Sequence, residues 1–206
     1  NEKYILVDNV LECLQELSIF HRKKLRCQVI GITGTNGKTT TKELIYTVLN
    51  TKYMTVATKG NLNNHIGVPL TLLSTPLETE ILIVEMGANK PGEISFLSNI
   101  AKPDFGIITN IGKAHLKGFG GYEGVIKTKS ELYHYIKKNG GKVFVNAKDE
   151  LLLKLSKDIE QTTYCDNCKF LSANPYVKFS YEETEIATKL IGKYNYPNLA
   201  LACSIG

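Results

Sequence analysis

Hydrophobic and polar positions follow two periods along this chain, and the change from one to the other marks its elements. Val10, Leu11, Leu14, Leu17, Ile19 and Phe20 recur at helical spacing within residues 8–24, which predicts an amphipathic helix closed by the basic stretch His21-Arg22-Lys23-Lys24. Gln28-Val29-Ile30-Gly31-Ile32-Thr33 is a short β-prone run that meets a glycine-rich turn and then a helical stretch over 39–49. The alternation repeats. Residues 81–84 predict a buried strand, 94–100 a helix begun after Pro91-Gly92, 105–109 a third strand, and 122–137 a long helix ended by Asn139-Gly140-Gly141. Residues 143–145 predict a fourth strand and 150–155 a short helix. Strand and helix in turn predict an α/β fold, a mostly parallel sheet flanked by helices. Beyond about residue 160 the pattern changes, and 162–165, 176–181 and 185–191 read as shorter, more polar strands of a small antiparallel extension. A last helical pattern runs over 197–205, with Pro197 in its first turn.

Composition narrows the class. The 206 residues carry 25 Lys plus Arg against 20 Asp plus Glu, a net charge of +5, with 43% hydrophobic and 22% charged residues. These values exclude a disordered or fibrous chain. The positive charge suits an anionic ligand but is too small and dispersed to imply nucleic acid. No apolar run is long enough for a membrane span, and the first residues lack the pattern of a signal peptide. Five scattered cysteines do not make a disulfide scaffold and favour a reducing compartment, so a cytoplasmic, monomeric protein is the expectation. Cys165-Asp166-Asn167-Cys168 is one C-x-x-C pair without a second pair or a histidine at zinc spacing, and reads as incidental.

The strongest chemical signal is Gly31-Ile32-Thr33-Gly34-Thr35-Asn36-Gly37-Lys38-Thr39-Thr40-Thr41, set between a predicted strand and a predicted helix. That context is the one a phosphate-binding loop requires: glycines aim backbone N–H groups at phosphate oxygens, and the helix N-terminus adds positive dipole. Lys38 can reach the β- and γ-phosphates, and the Thr39 hydroxyl can bind Mg²⁺. The general pattern G-x-x-x-x-G-K-[ST] is not met strictly, because Ile32 stands where its first glycine belongs. A GTPase, a kinase or a ligase could use such a loop. Asn146-Ala147-Lys148-Asp149 departs from the guanine-reading Asn-Lys-x-Asp by one place, and Asp104-Phe105-Gly106 opens a strand without any His-Arg-Asp catalytic loop, so neither supports its class.

The variant GTNGKTTT resembles the Mur ligase family, which shares it with folylpolyglutamate and cyanophycin synthetases. Further strings follow in family order: GNLNNHIGVP from Gly60, EMGAN from Glu85, PGEI from Pro91, TNIGKAHL from Thr109, GFG from Gly118, KSEL from Lys129 and GKYNYPN from Gly192. Thr41-Lys42-Glu43, NLNNHIGVPLTLL, EMGANKPGEI and AHLKGFGGYEGV resemble the branch that joins D-Ala-D-Ala to UDP-N-acetylmuramoyl-tripeptide in peptidoglycan precursor synthesis. The resemblance implies a P-loop NTPase-like central ATP-binding domain over 28–206. It also implies that 1–27 is a lead-in helix and linker from a missing N-terminal domain, and that the C-terminal domain is absent. The implied chemistry is an ATP-dependent, ADP-forming amide ligation through an acyl phosphate, with both co-substrates held by the full-length enzyme and the isolated fragment inactive. Another amide ligase of the same superfamily, a non-catalytic nucleotide-binding module and a small-molecule kinase are the alternatives.

The resemblance also assigns residues. Gly34, Thr35, Asn36, Gly37, Lys38, Thr39 and Thr40 form the ATP loop, and Asn195 matches an asparagine that contacts adenine, although Tyr194 stands where the family has histidine. Thr39 and Glu85 are expected at one Mg²⁺, Glu85 also because a carboxylate ending a parallel strand beside the loop is well placed for a cation. His115 and Lys129 are implied at a second Mg²⁺. Lys129 matches a lysine that is carbamylated in many family members, a change with a physical motive, since an ammonium is repelled by Mg²⁺ whereas a carbamate can ligate it. Lys127, two residues away, leaves the register of that match open. Lys38, His115 and Lys129 are the expected catalytic residues. Asn61, Asn63 and Asn64 offer amide donors and acceptors toward the acyl substrate.

Overall fold

The computed structural model describes residues 4–113 and 116–206, the backbone alone at 116 and 117. Helix α1 (Val10–Lys24) leads into strand β1 (Gln28–Thr33), followed by α2 (Lys38–Leu49), β2 (Thr55–Ala57), α3 (Gly67–Leu73), β3 (Ile81–Glu85), α4 (Glu93–Ala101) and β4 (Phe105–Ile108). Then come a short α5 (Leu116–Phe119), α6 (Tyr122–Asn139), β5 (Lys142–Asn146), α7 (Glu150–Ser156) and β6 (Glu160–Tyr164). Strands β7 (Cys168–Ala173), β8 (Tyr176–Tyr181) and β9 (Thr184–Ile191) precede a 3-10 turn, Lys193–Asn195, and α8 (Tyr196–Ile205).

Six strands form one parallel sheet in the order β2-β3-β1-β4-β5-β6, and β7-β8-β9 form a separate antiparallel sheet. The register Ile32↔Glu85 and Thr33↔Ile108 brings the ends of β1, β3 and β4 side by side. From β1 the chain crosses outward to β2, returns through β3, and then passes to β4 on the other side. Such a reversal leaves a crevice at the carboxyl ends of the strands, which is where the loop after β1 lies.

Alternation along the strands explains the two cores. Val29, Leu82, Val84, Ile108, Val143 and Val145 face a layer built on α3, α4, α6 and α7, with Leu72, Leu97, Leu132 and Ile136 fully buried. Ile30, Ile32, Ile81, Ile83 and Ile107 face the other way, onto Ile45 of α2, Leu199 of α8 and Val177 and Phe179 of the small sheet. Each fully buried aliphatic side chain contributes about 2 kcal/mol of transfer free energy. Helix α1 rests on α3 and α4. Arg22 fastens it, donating to the carbonyls of Ala101 (2.8 Å), Lys102 (3.0 Å) and Leu25 (3.2 Å), which end α4 and α1.

The late strands and two short elements differ from the sequence reading, and the string at 146–149 does not. Residues 160–164 are the sixth strand of the parallel sheet, paired with β5, and not part of the antiparallel extension. As an edge strand with mostly exposed side chains, Glu-Gln-Thr-Thr-Tyr carries no apolar run. The third antiparallel strand is β7, and β2 and α3 were not anticipated. The near-guanine motif is a turn and cap: Asn146 Oδ1 accepts from Lys148 N–H at 3.0 Å, and Asp149 caps α7 through Leu152 N–H.

Candidate functional site

The loop between β1 and α2 is shaped by two glycines. Gly34 has φ +146° and lies against Thr109, whose side chain would collide with any Cβ there. Gly37 has φ +78° and forms the N-cap of α2 without a side-chain cap, so the first amides of the helix point outward unpaired by any cap. A free helix N-terminus of this kind favours an anion. The apex is clamped from β4's side: Asn110 Oδ1 accepts from Asn36 N–H at 3.1 Å while Asn110 Nδ2 donates to Asn36 O at 2.9 Å, and Thr109 Oγ1 donates to the same carbonyl at 2.7 Å. Thr35 N–H donates to Asn110 O, and Gly112 N–H donates to Thr35 Oγ1 at 2.9 Å. The loop is therefore pre-set in shape. Lys38 Nζ lies over it, donating to Gly34 O at 2.9 Å and Thr35 O at 3.2 Å. Burial lowers its pKa, and the Glu85 carboxylate acts against that shift.

Glu85 ends β3 and is 1% exposed. Its Oε2 accepts from Thr39 Oγ1 at 2.9 Å and its Oε1 from Asn63 Nδ2 at 2.7 Å. A buried carboxylate and a threonine hydroxyl side by side are hard oxygen donors, the chemistry that suits Mg²⁺. Both carboxylate oxygens keep a further lone pair, so the donor set fits the cation that the loop implies. Asn64 Oδ1 is engaged locally, accepting from Ile66 and Gly67 N–H at the start of α3. Asn63 and Asn64 line a cleft of about 370 Å³ together with Gly34, Lys38, Glu93 and Lys129; Asn61 is not among its lining residues. That size suits a small ligand.

Lys129 is delivered by α6. The buried residues of that helix are Val125, Thr128, Lys129, Ser130, Leu132, Tyr133 and Ile136, so a lysine holds a position where helical spacing calls for an apolar residue. Lys127 is exposed, whereas Lys129 is 3% exposed with its Nζ 5.7 Å from the Phe119 ring centroid. Burial lowers its pKa to about 8, and the charge of Lys38 reinforces that shift against the pull of Glu131 and Glu93. Those two carboxylates are already committed to main-chain amides. Glu131 accepts from Gly92 and Ser95 N–H, and Glu93 from Asn89 and Lys90 N–H.

A second cleft lies on the other side of the loop apex, lined by Asn36, Gly37, Thr40, Asn110, Tyr194, Asn195 and Asn198. Asn195 is 7% exposed; its Nδ2 donates to Ile191 O at 2.9 Å and its Oδ1 accepts from Asn198 Nδ2 at 3.3 Å. Tyr194 is 74% exposed. The loop, Glu85, Asn63, Asn64 and Lys129 are thus gathered on one side, and Thr40 and Asn195 on the other. His115 lies outside the described residues. Among the described residues no group of three or more His, Cys, Asp and Glu is placed to hold a metal ion. Cys165 and Cys168 are buried, and burial together with the neighbouring thiol pushes Cys165 up to about 12, so the pair does not form a thiolate site. Two further residues shape the site beyond those assigned from sequence: Asn110, inside the string TNIGKAHL, and Lys42, a charged residue on the inward face of α2.

The profile of the Mur ligase middle domain matches residues 32–206. UDP-N-acetylmuramoyl-tripeptide–D-alanyl-D-alanine ligase of Bacillus subtilis (strain 168) is 39% identical over 219 aligned residues, covering 100% of this chain and 47% of that protein. A crystal structure of MurF from Acinetobacter baumannii superposes with a TM-score of 0.83 at 30% identity, over 97% of this chain and 47% of that one. The MurF ligase of Thermotoga maritima in complex with ADP does so with a TM-score of 0.83 at 28% identity, over 100% and 51%. The chain spans about half the length of the curated relatives it matches. No helix among the described residues is long and apolar enough to cross a membrane. By the extent of the profile match, the chain belongs to the Mur ligase family, over the span of its middle domain.

Proposed function

We propose that this chain is the ATP-binding middle domain of a cytoplasmic, monomeric ligase that joins D-Ala-D-Ala to UDP-N-acetylmuramoyl-tripeptide. The observation that carries the reading is one cleft lined by Lys38, Asn63 and buried Lys129, with Glu85 bonded to Asn63 and Thr39 bonded to Glu85. The Bacillus subtilis relative, named for that reaction and 39% identical, supports the choice of co-substrates. On this reading, residues 1–27 lead in from a preceding domain, and partner domains hold the two co-substrates.

The reaction needs a carboxylate oxygen to attack the γ-phosphorus of ATP, giving an acyl phosphate and ADP. The amine of D-Ala-D-Ala then attacks the acyl carbon, and phosphate leaves. Negative oxygens crowd together in the first step, so positive groups must meet them. The amides of Gly37 to Thr39 at the start of α2 and the Lys38 Nζ supply that field; Lys38 exchanges its bonds to Gly34 O and Thr35 O for phosphate oxygens. Asn63 Nδ2 holds Glu85 in place, and Asn64, on the wall of the cleft, offers its amide nitrogen toward the acyl carboxylate. Asn195 and Thr40 would border adenine in the second cleft. Glu85 and Thr39 would hold one Mg²⁺, and His115 with a carbamylated Lys129 a second; the metal would supply charge neutralisation for the phosphate and acyl oxygens.

A buried lysine whose pKa falls to about 8 is partly neutral in the cell, and only the neutral amine adds to CO₂. An N–C bond forms between the neutral Nζ and CO₂, one proton leaves the nitrogen, and the amine becomes a carbamate anion suited to a metal. In ¹³CO₂-enriched buffer this modification predicts one slow-exchanging carbamate resonance that disappears in Lys129→Met.

The function is tested with the complete gene product, by scoring ADP and phosphate release across acceptors and amines. The reading predicts release only with UDP-N-acetylmuramoyl-tripeptide and D-Ala-D-Ala together; release with a folate and glutamate instead would refute it.

A further inference from the structure

Lys42 lies one turn beyond Lys38 on the same face of α2, and its side chain is fully buried. Its Nζ donates to Thr58 O at 2.6 Å and Gly60 O at 3.2 Å, and it meets the half-exposed Glu43 carboxylate at 2.9 Å. The two carbonyls belong to the loop after β2, immediately before the asparagine cluster 61–64. That loop touches the site at three further points. Glu85 N–H donates to Thr58 Oγ1 at 3.0 Å, Asn63 Nδ2 donates to Glu85 Oε1 at 2.7 Å, and Gly87 N–H donates to Asn63 O at 2.7 Å. An apolar side chain would fill the space under α2 with less desolvation; a cation there fixes where two loop carbonyls must stand, because charge-assisted bonds are short and directional.

We propose that Lys42 is a positioning residue that ties the phosphate-loop helix to the asparagine loop, holding the acyl carboxylate in register with the γ-phosphate. The helix that starts at the phosphate loop and the loop that faces the acyl substrate are thereby one mechanical unit. The identity of the acyl substrate rests on the ligase reading above; the link between the two segments does not.

The test uses the complete ligase. Lys42→Met keeps the aliphatic stem and removes the charged head. It is expected to raise KM for the UDP-linked tripeptide about tenfold and lower kcat, with KM for ATP changed by less than about twofold and unfolding still cooperative. Glu43→Gln leaves the bonds to Thr58 and Gly60 in place and is expected to shift either KM by less than about twofold. An unchanged KM for the tripeptide, or an equal loss toward both substrates, overturns the proposal. Should Lys42→Met fail to fold, hydrogen exchange on the wild-type enzyme decides. Adding a non-hydrolysable ATP analogue with Mg²⁺ is expected to slow exchange at amides 60–64 along with those at 34–40, whereas a response confined to 34–40 overturns the link. The exchange arm needs no acyl substrate, so an error in the assigned substrate leaves it readable.

Discussion

Two lysines are buried at the same end of the parallel sheet, and the fold treats them in opposite ways. Lys42, on α2, is surrounded by acceptors: two loop carbonyls and a carboxylate satisfy its head. Lys129, on α6, looks into a cleft beside another cation, while the nearby Glu131 and Glu93 are spent on backbone amides. A satisfied buried cation builds structure. One left short of counter-charge is held at a cost to stability, and such groups concentrate where chemistry happens. The contrast separates architecture from reactivity within a few turns of helix.

The contrast breaks most sharply at Lys129. In the complete ligase, Lys129→Met is expected to lower kcat about a thousandfold, since it removes a charge-bearing group from the reacting centre. In CO₂-depleted buffer the same change is expected to raise stability at neutral pH by up to about 3 kcal/mol, because the buried amine's pKa is lowered to about 8 from 10.5. The sign follows from proton counts. Between pH 8 and the ordinary lysine range, the unfolded chain keeps a proton that the folded chain has released. Wild-type stability therefore gains from this group as pH rises through that window, by about 1.4 kcal/mol per pH unit, and the variant loses the slope. Denaturation midpoints across pH measure both; a Lys129→Met protein less stable than wild type would erase the distinction.

Glu85→Gln preserves the size of the side chain and removes its charge, and is expected to lower turnover about a hundredfold with a weaker response to Mg²⁺ in a titration of rate. Lys42→Met should behave in the opposite sense to Lys129→Met in stability. It orphans two carbonyls and is expected to cost about 2–4 kcal/mol in chemical denaturation. Asn110→Ala, which frees the loop apex while leaving every charge in place, is expected to raise KM for ATP only about fivefold in steady-state kinetics.

The sequence made the reactive side of this comparison legible and hid the architectural side. Strand β1, the glycine turn and α2 were readable because period and loop chemistry agree there, and Glu85 was readable because an acid ends the wholly apolar run Ile81–Val84. Lys129 stood out through its motif and holds a buried position. Lys42 did not, since a lysine among Thr-Thr-Thr-Lys-Glu looks like an ordinary solvated helix residue until the loop after β2 is folded over it. Strand β2 has three residues, too few to show a period, and α3 begins inside an asparagine-rich loop with Pro69 in its first turn. Strand β6 was assigned to the wrong sheet because an edge strand needs little apolar surface, and polar side chains alone do not say which partner it pairs with.

The proposed ligation requires activation of a carboxyl group by phosphate in the cleft that Lys38, Asn63 and Lys129 line. The most direct measurement follows ¹⁸O from the labelled terminal carboxylate of the UDP-linked tripeptide during one round of ligation by the complete enzyme. Recovery of one ¹⁸O atom in the released inorganic phosphate is the predicted result; phosphate free of label would contradict an acyl phosphate and, with it, the role given to this cleft.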